Sequence, residues 1–371
     1  MKNNLYVKTD KILYIKNLKL KTKFKLKRKT KSKFYNIYLK GIIIVILFCL
    51  CYNLFFKVSK YKVIEVDISF SKYNGGGPIQ FSKGIAKVLP YRTKDCLFIP
   101  SERISLENGK NHSNFFFISY PFFDKNRMEE WKKINRCQDL LLGPNYVPIF
   151  WRAFPVQSTW KEKNFREVLT NIKGYVVHSK RVRNHLSTRS NTTDILNKFV
   201  IMRACTYILP KKVKPFEERK VDLIFYEKFA DLNRMEQSEK LVNLFNQTNK
   251  KIIRLKYGNY TKDQMFELSN NSKFIIYFSF YDTGAIGLKE IQNYGVYSFT
   301  LQEDLAVHKE TSLYVPELEN DDIEPAFKII VQKMDMISES PPNTQKMAEI
   351  NQKINRCESA LDDMCKGIKY S

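Results

Sequence analysis

Residues 272–299, SKFIIYFSFYDTGAIGLKEIQNYGVYSF, narrow the possible folds more than any other stretch of the chain. An apolar run from Phe274 to Phe280 ends in Asp282-Thr283-Gly284, a helix-forming segment carries Glu290, and Gly295 opens a second apolar run. The pattern predicts a strand, a tight turn, a helix and a strand, with one carboxylate at the turn and another eight positions on. A turn feeding a helix presents unpaired N–H groups and the positive end of the helix dipole to anionic oxygens. Thr283 and Gly284 fall at that turn, where a glycine lets backbone approach a ligand closely. Glu290 follows about two helical turns later, at roughly 1.5 Å of rise per residue.

The flanking sequence continues the alternation. Val221–Phe229 reads as a buried strand that contains Lys228 near its end, with Arg234 shortly after, and Ile252–Leu255 reads as another strand closed by Tyr257-Gly258. Lys262–Leu268 reads as a short helix before the next strand. Nearer the N-terminus, KVIEVDISF alternates apolar residues at Ile64, Val66, Ile68 and Phe70. It leads into Gly75-Gly76-Gly77 and a helix with Pro78 in its first turn and Phe81, Ile85, Val88 and Leu89 on one side. A strand, a glycine turn and an amphipathic helix open a Rossmann-like unit. The run lacks the full G-x-G-x-x-G fingerprint, so no dinucleotide cofactor is inferred.

Further strands are expected at Cys96–Ile99, Asn114–Ser119, Asp139–Leu142 and Gly174–Val177. Gly143, Pro144 and Asn145 follow one strand end, and His178-Ser179 follows another, with Ser179 a natural cap for the next helix. Asn145 suits either a sugar hydroxyl or the closure of its own turn. His178 suits either a ligand or ordinary packing.

Taken together, the acid-x7-Glu spacing of Asp282 and Glu290 and the VVHSK junction at residues 176–180 resemble the GT-B glycosyltransferases, in particular the retaining family-4-like enzymes. The family's first acid is usually Glu, whereas this chain has Asp282. The resemblance implies an α/β GT-B fold, with two Rossmann-like domains facing a cleft that binds a nucleotide-sugar donor. It implies that Glu290 accepts hydrogen bonds from the ribose hydroxyls and that Asp282 faces the sugar, with His178 across the cleft. Lys228 and Arg234 would neutralise the diphosphate, in an order and spacing that only approximate the family's. Thr283 and Gly284 would contribute backbone N–H groups, and Gly75 and Gly76 would lie between donor and acceptor. The implied activity is a hexosyltransferase-like transfer, with retention, to a glycan, lipid or protein acceptor. Cations and N–H groups would serve the phosphates, so neither a metal nor another cofactor is expected. The alternative is a catalytically inactive, membrane-tethered protein that binds sugar or nucleotide.

The first forty residues hold fourteen Lys or Arg against one acid, Asp10, about half of the formal net charge of +25. Gly41–Phe56 follows without a charge. Sixteen residues of helix span about 24 Å, short of a hydrocarbon core of roughly 30 Å, and flanking Lys40 and Lys57 can snorkel. Cations on the N-terminal side orient such a span as a type II signal anchor with the bulk of the chain lumenal. The Golgi or endoplasmic reticulum is the expected location, and the apolar span argues against a nucleic-acid partner for the basic arm. Of seven cysteines, Cys96, Cys137, Cys205, Cys357 and Cys365 follow the span, where disulfides are permitted; an odd number leaves at least one outside an internal pair. Five N-x-S/T sequons, at Asn111, Asn191, Asn246, Asn259 and Asn270, also follow it.

The expected organisation is a basic tail (1–40), an anchor (41–56), a short stem (57–62), an N-terminal acceptor domain (63–212), a C-terminal nucleotide-sugar domain (213–342) and a final segment (343–371). The boundary is read from Ile208–Lys220, a charged stretch with two prolines, and the final segment as one helix packing back on the first domain.

Overall fold

The computed structural model describes residues 62–72, 77–101, 115–118, 137–143, 162–189, 191–228, 232–279, 284–306 and 308–370. The expected anchor, Gly75, Gly76, Pro144, Asn145, Asp282 and Thr283 lie outside them. Among the described residues, no helix is long and apolar enough to cross a membrane.

From its first described residue the chain runs β1 (Lys62–Asp67), α1 (Gly77–Val88), β2 (Tyr91–Arg92), β3 (Cys96–Ser101), β4 (Phe115–Ile118), β5 (Leu140–Leu142), α2 (Glu162–Asn171), β6 (Gly174–Val177), α3 (Lys180–Arg189) and β7 (Phe199–Ile201). It continues with β8 (Val221–Glu227), α4 (Leu232–Asn246), β9 (Ile252–Lys256), α5 (Lys262–Asn271), β10 (Ser272–Phe278), α6 (Ile286–Gln292), β11 (Tyr297–Thr300), β12 (Ser312–Tyr314), α7 (Glu324–Glu339), α8 (Thr344–Asn355) and α9 (Cys357–Tyr370). The strands form a seven-stranded sheet, ordered β2-β3-β1-β4-β5-β6-β7, and a five-stranded sheet, ordered β12-β11-β10-β8-β9. Every pairing is parallel except that of the edge strand β2 with β3. Both sheets belong to one contact unit, Tyr61–Ser371.

The apolar strand runs have a simple cause: each sheet is covered on both faces. On one face of the second sheet Leu223, Phe225, Phe274, Ile276 and Phe278 share a core cluster. The alternate residues Ile224, Tyr226, Ile275 and Tyr277 join another on the opposite face. The first sheet divides likewise, with Phe117, Leu141 and Val176 on one side and Phe116, Leu140, Leu142 and Tyr175 on the other.

Two expectations are corrected. The first strand stops at Asp67 instead of Phe70, because the Asp67 carboxylate accepts from the Ser69 N–H (2.9 Å) and hydroxyl (2.5 Å) and turns the chain. The C-terminal segment is two helices rather than one. Arg356 is extended (φ −69, ψ 151), and the Asn355 carbonyl accepts the N–H of Thr206 instead of continuing the helix. The bend delivers α9 to the first sheet, where Ala360, Leu361, Met364 and Ile368 join its core. Disulfides Cys96–Cys365 and Cys205–Cys357 fasten α9 there.

The charged stretch before β8 is not merely solvated linker. Arg219, 2% exposed, donates to four carbonyls: Ser272 (2.6 Å), Tyr294 (2.6 Å), Lys214 (3.1 Å) and Gly295 (3.2 Å). Burial lowers its pKa to about 10. It bolts the approach to β8 onto the starts of β10 and β11.

Candidate functional site

In a parallel α/β sheet the strands' carboxyl ends form one edge, and ligands gather where successive connections leave in opposite directions. In the second sheet this point lies between β8 and β10, since β8 leads outward to β9 on one side and β10 to β11 on the other. Lys228 directly follows β8, and Ser279 directly follows β10. In the first sheet the corresponding point lies between β1 and β4, and the chain leaving β1 leads to Gly77 at the start of α1.

The two edges meet. His178, just past β6, is 6% exposed, and its Nδ1 lies 3.1 Å from the Met202 carbonyl. A carbonyl only accepts, so Nδ1 carries a proton and donates to it. The ring stands edge-on to Phe81 of α1 at 5.3 Å. On the opposite side of the contact is Gly284. A methyl group there would stand 3.0 Å from His178 Cδ2 and 3.1 Å from both His178 Nε2 and Ala204 Cβ, tighter than ordinary packing. One residue on, Ala285 adopts the left-handed conformation (φ 45, ψ 43) while fully buried. That geometry costs a non-glycine residue about 1–2 kcal/mol, and strain of this kind collects where a backbone is held for a purpose. Ile286 then reaches the first lobe's core, and its Cδ1 lies 3.7 Å from the position a Cβ would take on Gly77.

Glu290 lies on α6 with its side chain 3% exposed. Lys262, the first residue of α5, donates to its Oε1 at 2.7 Å. A capping box sets the lysine's position, since Thr261 accepts from the Gln264 N–H and Gln264 accepts from that of Thr261. Burial raises the Glu290 pKa, and the Lys262 charge and hydrogen bond oppose the rise. Tyr207 and Tyr294 are pushed up by burial first and by the Glu290 charge second.

Of the two candidate cations, Lys228 holds its ammonium 4.8 Å from the centre of the exposed Tyr257 ring, at the ends of β8 and β9. Arg234 lies in α4 and donates to Gln237 Oε1 (2.6 Å) and the Glu319 carbonyl (2.9 Å), within the framework of its own lobe. Among the described candidates, the structure therefore brings His178 and Gly284 into contact and buries Glu290 on the helix that follows. Lys228 stands at the second sheet's switch point, and Arg234 is engaged elsewhere. Sequence reasoning missed Lys262 as the partner of Glu290. Its cap, Thr261-x-x-Gln264, is legible, but the pairing across helices is not.

The sequence matches no known protein family and no curated protein. Solved structures with similarity include a TarM variant from S. aureus in complex with Fondaparinux, alpha-GlcNAc-glycerol and UDP (12% identity, 65% of this chain, TM-score 0.42). This chain spans 57% of that protein's length. Sucrose-phosphate synthase from Thermosynechococcus elongatus shares 9% identity over 83% of this chain and 97% of its own, with a TM-score of 0.46. The lipopolysaccharide outer core galactosyltransferase WaaB shares 9% identity over 83% and 98%, with a TM-score of 0.48.

Proposed function

We propose that the protein is a glycosyltransferase of GT-B arrangement that moves a sugar from a nucleotide-sugar donor to a glycan, lipid or protein acceptor. The observation that carries this reading is the meeting of the two strand edges at His178 and Gly284, with a buried carboxylate, Glu290, on the helix that follows. A bipartite site of this form suits a ligand with several recognition groups. Glu290 would take the ribose hydroxyls, with Lys262 shifting to release Oε1 or sharing it. Lys228 and the backbone N–H groups near Gly284 would offset the charge growing on the departing diphosphate. Asp282 would orient the transferred sugar, and the family resemblance implies a hexose moved with retention of its anomeric configuration. Arg234 would reach the phosphates only by giving up its bond to Glu319.

The division into an acceptor domain (63–212) and a donor domain (213–342), closing over the donor to exclude water, belongs to the same proposal. So does a type II anchor that holds the bulk of the chain in the lumen of the secretory pathway. The pairs Cys96–Cys365 and Cys205–Cys357 support an oxidising compartment. Asn191, Asn246 and Asn259 of the sequons are exposed, in keeping with that setting.

A thermal-shift screen of common nucleotide sugars against the full chain in detergent tests the reading. A bound donor raises the melting temperature with its occupancy, and Glu290→Ala should remove that rise. If no nucleotide sugar shifts the transition, or Glu290→Ala leaves the shift intact, the proposal fails.

A further inference from the structure

Arg181 lies three residues after His178, at the start of α3 in the first lobe. Its Nη2 donates to Gln302 Oε1 at 2.5 Å, and its Nε to Asp304 Oδ1 at 3.2 Å, both in the second lobe just past β11. Gln302, 2% exposed, passes the contact inward, its Nε2 donating at 2.6 Å to the carbonyl of Ser279 at the end of β10. The amide orientation is dictated by its neighbours. Reversing it would set an NH2 against the guanidinium and an oxygen against a carbonyl. The Thr300 hydroxyl, 3.0 Å from the Gln302 carbonyl, fixes that residue's backbone. Ser179 accepts the Val182 N–H at 3.2 Å and so caps α3, which holds the turn from His178 to Arg181 rigid.

One turn of the first lobe thus touches the second lobe at two points: His178 at Gly284, and Arg181, through Gln302, at Ser279. Ser279 and Gly284 are the last residue described before the acid–Thr–Gly turn and the first described after Asp282 and Thr283. We propose that Arg181 is a positioning residue, acting through Gln302 to fix the end of β10 and the Gly284 backbone relative to the first lobe. The inference rests on the donor-site reading for its purpose, but the tether itself is read from hydrogen bonds within the chain. Asp304 orients the guanidinium. Gln302, able to accept on one side and donate on the other, is the element that transmits the position.

The test is amide hydrogen exchange on the full chain, comparing wild type with Arg181→Ala and Gln302→Glu. Gln302→Glu keeps, and strengthens, the bond to Arg181 but removes the donor to Ser279. It therefore separates positioning of the strand end from a mere bridge between lobes. Exchange at Lys228, whose amide donates to the Phe278 carbonyl at the end of β10 at 3.2 Å, and at Gly284 should rise at least about tenfold in both variants, equivalent to about 1.4 kcal/mol of lost protection. Amides of Ile224 and Phe225 in β8 should be unchanged, and Arg181→Lys should recover only part of the protection, since one ammonium replaces a fork. Unchanged exchange at Lys228 and Gly284 in Gln302→Glu would overturn the proposal. So would a rise spread evenly over both lobes, which would mark general destabilisation. Because no donor is needed, a failed nucleotide-sugar screen would sink the functional reading and leave this result standing.

Discussion

Replacing Lys262 with Met is the sharpest probe of the buried carboxylate. The substitution keeps most of the lysine's aliphatic volume and removes the cation 2.7 Å from Glu290 Oε1. Breaking a fully buried ion pair costs about 3–5 kcal/mol, because one charge is left without compensation. Here only the carboxylate is fully enclosed: its side chain is 3% exposed and that of Lys262 is 39%. Solvent screening of the lysine reduces the expected loss to about 1–3 kcal/mol at pH 8.

The pH dependence has a definite sign. Burial raises the folded-state pKa of Glu290 above its ordinary 4.5, while Lys262 pulls it back. The folded protein therefore holds this proton more tightly than the unfolded chain, and the site's contribution to stability grows as pH falls through the raised pKa towards the ordinary value. Removing Lys262 raises the folded pKa further, so the variant's deficit is greatest where Glu290 is ionised and shrinks as the carboxyl protonates. Urea unfolding at pH 8 and pH 5 measures both quantities. The deficit should fall by more than half at pH 5, and in a Glu290→Gln background it should nearly vanish at both pH values. A deficit of equal size at both pH values, or one that persists when the carboxylate has been replaced by a neutral amide, would refute the argument.

Three further outcomes follow from the same geometry. Arg219→Met should lower stability by about 3–5 kcal/mol in urea unfolding, because four carbonyls lose a charged donor, and Arg219→Lys should recover less than half. Cys205→Ser with Cys357→Ser opens a crosslink spanning 152 residues and should cost about 2–5 kcal/mol, with hydrogen exchange rising first in α9. Gly284→Ala should cost about 1–3 kcal/mol through overpacking against His178, and His178→Ala should relieve that cost when the two are combined, as a double-mutant cycle would register.

Much of the architecture was legible because period and punctuation are local. Gly174–Val177 is the expected strand to the residue, and the apolar runs at Val221 and Phe274 announced strands covered on both faces. β7 was missed because Phe199–Ile201 is only three residues long and begins directly after a 3-10 turn, leaving no periodicity to detect. The break between α8 and α9 was missed for a different reason. The helical pattern continues through Arg356, and the turn is imposed by Asn355 meeting Thr206, which lies far earlier in the chain. The site divides the same way. His178, Gly284 and Glu290 stand at strand ends or on the first helix after one, where sequence order alone points. Arg219, Lys262, Arg181 and Gln302 act through partners distant in sequence, and a single basic or amide residue in so lysine-rich a chain gives no sign of them.

The proposed activity is transfer of sugar from a nucleotide donor bound where the two strand edges meet. Incubating the full-length protein with radiolabelled nucleotide sugars and membrane or glycan acceptors, then following release of the free nucleotide and labelling of acceptor, tests it directly. At least one donor should be consumed with label moving to an acceptor, and Glu290→Ala and Asp282→Asn should each slow the transfer by about a hundredfold or more. Absence of turnover with every donor, or transfer that survives both substitutions at the wild-type rate, would contradict it.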